Sequence, residues 1–220
     1  MPQLKTIKAT ILAVLILVGL GVQHSGAKAD DTEVLTVAGG CFWCVESDFE
    51  RVAGVKEVIS GFTGGTVANP TYKQVVKGGT GHYEAVQIIF DPKQVSRDQI
   101  LSMFFRSIDP TDAGGQFCDR GDTYRTAIFP ASEAQRNAAE QAKASAQAEL
   151  GRAIVTPIVT AGTFYEADEY HQDYYKGEKL VITRFGPKTQ ASAYKAYRKA
   201  CGRDRRVDEL WGDAAPFTGS

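Results

Sequence analysis

The residues that can do chemistry begin with Cys41 and Cys44. They lie in Gly39-Gly40-Cys41-Phe42-Trp43-Cys44-Val45-Glu46, between a short apolar run, Val34 to Ala38, and a helix-competent segment, Phe42 to Arg51. This order sets Cys41 at or just before a helix N-terminus, where backbone N–H groups lack partners and the helix dipole favours negative charge. Such a site lowers a thiol's pKa and enriches the thiolate, which is the nucleophile. Cys44, three residues on, shares the helix face. Phe42 and Trp43 offer aromatic surface suited to an apolar group. A buried structural pair, or half a zinc site, is the competing account of this Cys-x-x-Cys.

A thiolate in an aromatic pocket attacks an electrophilic atom, and the group it displaces needs a proton. Thr80-Gly81-His82-Tyr83-Glu84 brings a carboxyl to the mouth of an expected central strand. Packed against aromatic rings, Glu84 would have a raised pKa and serve as a general acid near neutral pH. His82 reads as a hydrogen-bonded loop histidine, with catalysis as the alternative. In Cys118-Asp119-Arg120-Gly121-Asp122-Thr123-Tyr124-Arg125, Asp119 and Tyr124 can line a polar wall. Tyr165, Tyr170, His171, Tyr174 and Tyr175 form a third cluster, read as packing. Cys201 ends the last expected helix beside Gly202, where a thiol can move as a resolving thiol must; a buried small hydrophobe is its other reading. Cys118 is expected to be a poor thiolate, because the carboxylate next to it opposes deprotonation.

These residues need elements to hold them. Val34 to Ala38, Val55 to Gly61, Tyr83 to Phe90, Thr126 to Phe129 and Ile154 to Thr160 read as strands; Pro157 marks the last as an edge, a start or a bulge. Thr71 to Lys77 reads as a short helix. Ser96 caps a helix to Ile108, whose apolar positions keep a helical period. Ser132 with Gln135 opens an Ala-rich outer helix ending at Gly151, Glu166 to Lys176 suits a short helix, and Thr189 to Cys201 forms the last helix. Asp109 to Thr123 has no period and reads as a functional loop. Strands and helices interleave, which predicts an α/β (α+β) fold: a single two-layer sandwich with a mixed sheet flanked by helices. Residues 203–220 read as a polar tail apart from Leu210 and Trp211.

The chain has 220 residues, 43% of them hydrophobic, enough to bury a core as one domain over residues 30–202. Its formal charge of −1 argues against nucleic-acid binding through phosphates. Residues 1–29 carry Lys5 and Lys8, an apolar run from Ile11 to Val18 and Ala27-Lys28-Ala29, the pattern of a secretory signal peptide cut after Ala29. The predicted location is outside the cytosol, in the periplasm; an uncleaved membrane anchor over residues 9–22 is the alternative. All four cysteines follow this segment, too few for a disulfide scaffold and better suited to redox-active thiols with a dedicated electron donor.

Gly40-Cys41-Phe42-Trp43-x-x-Glu46 resembles the signature of the A-type peptide methionine sulfoxide reductases. Further motifs follow in that family's order: Gly61-x-x-Gly64-Gly65, Asn69-Pro70-Thr71-Tyr72, Thr80-Gly81-His82-x-Glu84, Asp119-x-Gly121-x-x-Tyr124-Arg125 and Glu169-Tyr170-His171-Gln172. The resemblance spans about residues 33–186. It implies that Cys41 attacks the sulfoxide sulfur, that Phe42 and Trp43 cradle the methyl group, and that Glu84 protonates the leaving oxygen. Tyr72, Asp119 and Tyr124 match the polar residues around the substrate. The implied products are methionine and a sulfenic acid on Cys41. A second thiol then forms a disulfide, which a thioredoxin-like donor reduces. The implied substrates are the S epimer of methionine sulfoxide, free or in oxidised proteins. The resemblance implies no metal or organic cofactor, and a monomer is expected. The chain departs from the family at Phe62, at Cys118 and in its tail, which reads Cys201-Gly202-Arg203-Asp204. The resolving thiol is therefore assigned to Cys201, with Cys44 as the alternative, since a first-turn disulfide strains a continuing helix. A thioredoxin-like oxidoreductase and an exported metal-binding module holding its ion on Cys41, Cys44 and a histidine are the competing functions.

Overall fold

A computed structural model describes residues 32–184 and 186–219; the predicted signal peptide lies outside the described residues. Five strands form the main sheet: β1 (Glu33–Gly39), β2 (Val55–Thr63), β3 (Tyr83–Phe90), β6 (Thr126–Phe129) and β7 (Tyr165–Glu166), in the order β6-β1-β3-β2-β7. Their pairings are antiparallel, and one parallel bridge, Ile128 to Ile158, extends the sheet beyond β6. The β-branched run of β3 lies at the centre of the sheet, paired with β1 along one edge and β2 along the other.

One face of the sheet carries Leu35, Val37, Val86, Ile88 and Phe90, which pack with α1 (Phe42–Phe49), α3 (Arg97–Phe105) and α4 (Glu133–Leu150). The other face carries Ala38, Ala85, Ala127 and Phe129 under Val159 and Phe164. The sandwich is thus a helical layer on one side and an extended strap on the other. Helix starts follow their sequence signals. Thr71 and Ser96 make full capping boxes with Gln74 and Gln99 at the heads of α2 (Tyr72–Lys77) and α3. Ser132 caps α4, which closes on a left-handed Gly151.

Three expectations fail for physical reasons. Residues 154–160 form no strand. Pro157 has no N–H to give, and pairing closes around one residue, with Ile128 N–H on the Pro157 carbonyl at 3.0 Å and Val159 N–H on the Ile128 carbonyl at 2.9 Å. Residues 166–176 form no α-helix. Their polar groups go to distant partners instead: Gln172 holds both the N–H and the carbonyl of Ser60 at 2.9 Å, and Asp173 N–H reaches Glu46 at 2.8 Å. A two-residue strand, a turn and a 3-10 helix (Tyr174–Lys176) result. The tail is no polar appendage. After α5 (Gln190–Cys201) and a left-handed Gly202, α6 (Arg203–Trp211) buries Arg203, Val207 and Trp211, and Phe217 beyond it packs edge-on against Phe49. A short hairpin, β8 (Leu180–Thr183) with β9 (Gly186–Thr189), precedes α5.

Candidate active site

β1 ends at Gly39, and the chain turns through Gly40 at φ +84° before Cys41 caps α1 with φ −53° and ψ 119°. A side chain at Gly40 would bring its Cβ to 2.5 Å from Gln116 Cβ, so glycine serves both the dihedral and the close approach. Cys41 is buried, with 7% of its surface exposed. Glu84 reaches it from β3, opposite Phe62 of β2. The Phe42 N–H, a free donor at the head of α1, donates to Glu84 Oε2 at 3.0 Å. Burial pushes the Glu84 carboxyl up to about 8, against the pull of that N–H.

The Cys41 thiol does not follow the sequence expectation. Its pKa lies above the ordinary cysteine value, first through its hydrogen bond with the Cys44 thiol, then through burial and the nearby charges of Cys44, Glu84 and Asp119. Helix position alone does not ionise it, because the first helical N–H is committed to Glu84. The same hydrogen bond lowers Cys44, helped by Arg203 and Arg198. The two sulfurs therefore act as a coupled pair whose first proton leaves most easily from the Cys44 side.

Aromatic rings enclose this pair. Phe42 lies against Phe62 at 5.9 Å, Tyr72 at 6.2 Å and His171 at 5.6 Å. Trp43 stacks flat on Tyr174 at 3.7 Å and on His171 at 5.7 Å, and Tyr72 meets His171 at 4.1 Å. The cluster read as packing from sequence thus forms part of the site wall. Tyr72 and Tyr124 have their pKa values raised by burial and then by Glu84, so both hydroxyls stay protonated donors. Asp119 accepts from the Tyr197 hydroxyl, and burial holds its carboxyl above the usual range. A groove of about 390 Å³ shares Phe62 and Tyr72 with the site and runs on to Tyr165, Glu166 and Asp168. His82 has the bland role: its Nδ1 accepts from Gly65 N–H at 3.1 Å and its Nε2 faces the Val67 carbonyl at 2.7 Å.

Cys201 is not a frayed, mobile thiol. It is bonded to Cys118, with Cα atoms 4.9 Å apart, while Cys41 and Cys44 are free. The bridge joins the end of α5 to the loop between β4 (Gly115–Gln116) and β5 (Asp119–Arg120), next to Asp119. The poor thiolate expected at Cys118 is moot in this state, because the sulfur is already paired. Two groups among the described residues gather possible metal ligands, Cys118 with Asp119 and Cys201, and Glu46 with Glu50 and Asp173. Cys41 and Cys44 belong to neither group. The sulfurs of the first are in the disulfide, and the carboxylates of the second already bind Asp173 N–H, Ser60, Tyr175 and Lys176.

Sequence reasoning missed three residues. Asp48 of α1, Arg198 of α5 and Arg203 of α6 form a buried ionic group behind the thiols. Arg203 also donates to the Gly39 carbonyl at 3.2 Å and to that of Ser107 at 2.9 Å, so it holds the strand end that precedes Cys41. The sequence signal was faint: Asp48 sits one turn beyond Cys44, but Arg198 lies in the last expected helix and Arg203 in a stretch read as tail. Glu46 was a motif residue without a physical role; buried at 1% exposure and pushed up to about 8 by burial, it pins Ser60 and Asp173 around the aromatic wall.

Residues 33–211 match the family profile described as peptide methionine sulfoxide reductase. A peptide methionine sulfoxide reductase MsrA 2 of Rhizobium meliloti (strain 1021) is 48% identical over 86% of this chain and 88% of its own length. The MsrA 2 of Caulobacter vibrioides is 44% identical over 92% of this chain and 97% of its own. Among solved structures, Mxr1 from Saccharomyces cerevisiae in reduced form superposes with a TM-score of 0.62 at 30% identity, covering 65% of this chain and 83% of that one.

Proposed function

Because this chain belongs to the peptide methionine sulfoxide reductase family, we propose that its thiol-dependent reduction of methionine sulfoxide runs through Cys41 as nucleophile and Glu84 as acid. The observation that carries this assignment is the Phe42 N–H bound to Glu84 at the head of the helix that Cys41 caps. It holds a proton-bearing carboxyl beside the buried thiol.

The substrate's methyl group packs on Phe42 and Trp43, and its oxygen faces Glu84 with the Tyr72 and Tyr124 hydroxyls as neutral donors. Cys41 gives up its proton, and its sulfur bonds to the sulfoxide sulfur. Glu84 delivers its own proton to the oxygen, which is a poor leaving group until protonated. The substrate S–O bond breaks, the released hydroxide adds to the Cys41 sulfur as the Cys41–substrate S–S bond breaks, and methionine leaves with that bond's electron pair. Cys41 is oxidised to a sulfenic acid, the substrate sulfur is reduced, and the proton Cys41 gave up replaces the one Glu84 spent. Raised proton affinity in Glu84 serves both partners. A neutral carboxyl is a donor, and it removes an anion that opposes thiolate at Cys41.

We assign the next step to Cys44 rather than Cys201. Cys44 already hydrogen-bonds Cys41, and Cys201 is engaged with Cys118. The objection that a first-turn disulfide strains the helix weakens because Cys41 is an extended N-cap outside the helix proper. A thioredoxin-like dithiol then reduces the Cys41–Cys44 disulfide. The family resemblance supports this donor, preference for the S epimer and action on both free and protein-bound substrate; export rests on the signal-like residues 1–29. Fractionation of cells, with N-terminal sequencing of the processed protein, tests export; an intact cytosolic chain would overturn it. Mass mapping after one turnover tests the mechanism. Cys41→Ser should release no methionine, and the wild type should carry a Cys41–Cys44 disulfide; a Cys41–Cys201 disulfide would return the resolving role to Cys201.

A further inference from the structure

Two buried guanidinium groups share one buried carboxylate behind the thiols. Asp48 and Arg198 are 1% and 4% exposed, and Arg198 Nη1 donates to Asp48 Oδ1 at 2.6 Å. Arg198 also has Asp204 at 2.8 Å from the solvent side, as well as the Tyr194 hydroxyl and the Phe217 carbonyl. Arg203 has less. Its side chain, 2% exposed, approaches Asp48 Oδ2 only to 3.7 Å. Arg203 Nε and Asp48 Oδ2 are both buried and, among the described residues, neither has a hydrogen-bond partner. Among the described residues, the other Arg203 nitrogens reach the Gly39 and Ser107 carbonyls. A buried cation without a hydrogen-bonded anion of its own is costly unless the surroundings supply negative charge.

The position of this cation is fixed from two sides. Arg203 follows the Cys201-Gly202 elbow, and Cys201 is bonded to Cys118. Phe117, before Cys118, lies 4.8 Å beneath the guanidinium. We propose that Arg203 is a positioning residue for the second chemical step, its buried charge holding the Cys44 sulfur as the anion that attacks the oxidised Cys41 sulfur. In that step the Cys44–Cys41 S–S bond forms, the Cys41 S–O bond breaks, and hydroxide leaves as water with one proton. Cys44 is oxidised and the sulfenic sulfur reduced, so no outside reductant enters.

The groups acting on Cys44 come from every element around it. α1 supplies Cys41 and Asp48, and β3 supplies Glu84. α5 supplies Tyr194, Tyr197 and Arg198, and α6 supplies Arg203. Tyr174 and Tyr175 close the cluster from the 3-10 helix. Among these, Arg203 and Arg198 favour the thiolate, burial and Asp48 oppose it, and the Cys41 hydrogen bond is the largest favourable influence. Arg198 is matched by two carboxylates, whereas Arg203 has only the longer 3.7 Å approach to Asp48, so of the two its charge is the less compensated.

This inference rests on Cys44 as the resolving thiol, and the experiment separates the two. Wild type, Arg203→Met, Arg203→Lys and Asp48→Asn are each given one equivalent of methionine sulfoxide. Methionine release, loss of the Cys41 sulfenic acid and the mapped disulfide are followed from pH 5.5 to 9.5. Arg203→Met should move the midpoint of disulfide formation to higher pH, read against each variant's own rate of methionine release. For a midpoint raised by about one pH unit, thiolate falls about tenfold and its intrinsic reactivity rises about threefold. Disulfide formation should therefore be about threefold slower at neutral pH, and faster than wild type above the new midpoint. Arg203→Lys should restore the profile, and Asp48→Asn, which frees more positive charge, should move the midpoint down. A uniform slowing with an unmoved midpoint would reduce Arg203 to a structural role and overturn the proposal. If Arg203→Met does not fold, Arg203→Gln, which keeps donors for the Gly39 and Ser107 carbonyls but not the charge, takes its place, and the same upward shift of the midpoint is required of it. A wild-type Cys41–Cys201 disulfide would defeat the resolving assignment itself, whereas a Cys41–Cys44 disulfide with unmoved midpoints defeats only the role of Arg203.

Discussion

Glu84→Gln removes the proton that the sulfoxide oxygen must receive while keeping a group that can accept the Phe42 N–H. The size of the effect follows from burial. A carboxyl with the ordinary value of 4.5 is about 0.3% protonated at pH 7, whereas one raised to about 8 is about 90% protonated, a gain of about 300-fold. Losing the donor altogether forfeits at least that factor, which falls within the two to four decades typical of general acid catalysis. We expect methionine release in a single turnover to fall about 300-fold or more. Rapid quench with one equivalent of methionine sulfoxide isolates this step from recycling. The pH profile carries a second signature. The reactive pair holds one proton, on Glu84 and not on Cys41, so wild type should show a bell with its maximum between two macroscopic pKa values. In Glu84→Gln only the thiol titrates, and the residual rate should rise monotonically with pH. A variant that keeps a rate within tenfold of wild type, or retains the bell, would refute Glu84 as the acid.

Stability should respond to the same substitution with a definite sign. Glu84 binds its proton more tightly folded, at about 8, than unfolded, at 4.5, so its contribution is intact below pH 4.5 and is lost as pH rises towards 8. Urea midpoints should therefore show Glu84→Gln gaining on wild type from pH 5 to pH 8; a difference independent of pH would contradict the burial argument. Cys118→Ser should lower unfolding free energy by about 2–4 kcal/mol, because the bridge spans 83 residues, while leaving methionine release in one turnover intact. Loss of that first turnover would make the pair essential to the chemistry. Gly40→Ala forces a left-handed backbone on alanine and a Cβ 2.5 Å from Gln116, so kcat should fall with Cys41 misplaced even where the protein folds; unchanged kcat with unchanged circular dichroism would show that the turn adapts.

Much of the protein was legible as residues in order. The Gly-Gly turn, the Cys41 N-cap, the capping boxes at Thr71 and Ser96, and the central run of β3 are local signals, each written within a few neighbouring positions. The motif residues Cys41, Phe42, Trp43 and Glu84 were named from types and spacing, and the fold brings them together. What local pattern could not carry was any property set by distant partners. Sequence proposed an ionised Cys41 from helix position, but the donor meant for it is committed to a glutamate 42 residues away, and the hydrogen bond with Cys44, followed by burial, reverses the direction. Residues 166–176 had helical composition, yet their polar groups are claimed by Ser60 and Glu46. Arg198 fell in the last expected helix with no role, and Arg203 in a stretch read as polar tail. They become buried because Asp48, 150 residues from Arg198, offers a carboxylate that only the folded chain brings within 2.6 Å. The pairing of Cys118 with Cys201 has the same origin: four cysteines allow several partnerships, and only the approach of the α5 end to the β4–β5 loop selects this one. Sequence thus named the candidate reacting residues, and tertiary structure decided their proton affinities and pairing, because both depend on charges and burial summed over space rather than along the chain.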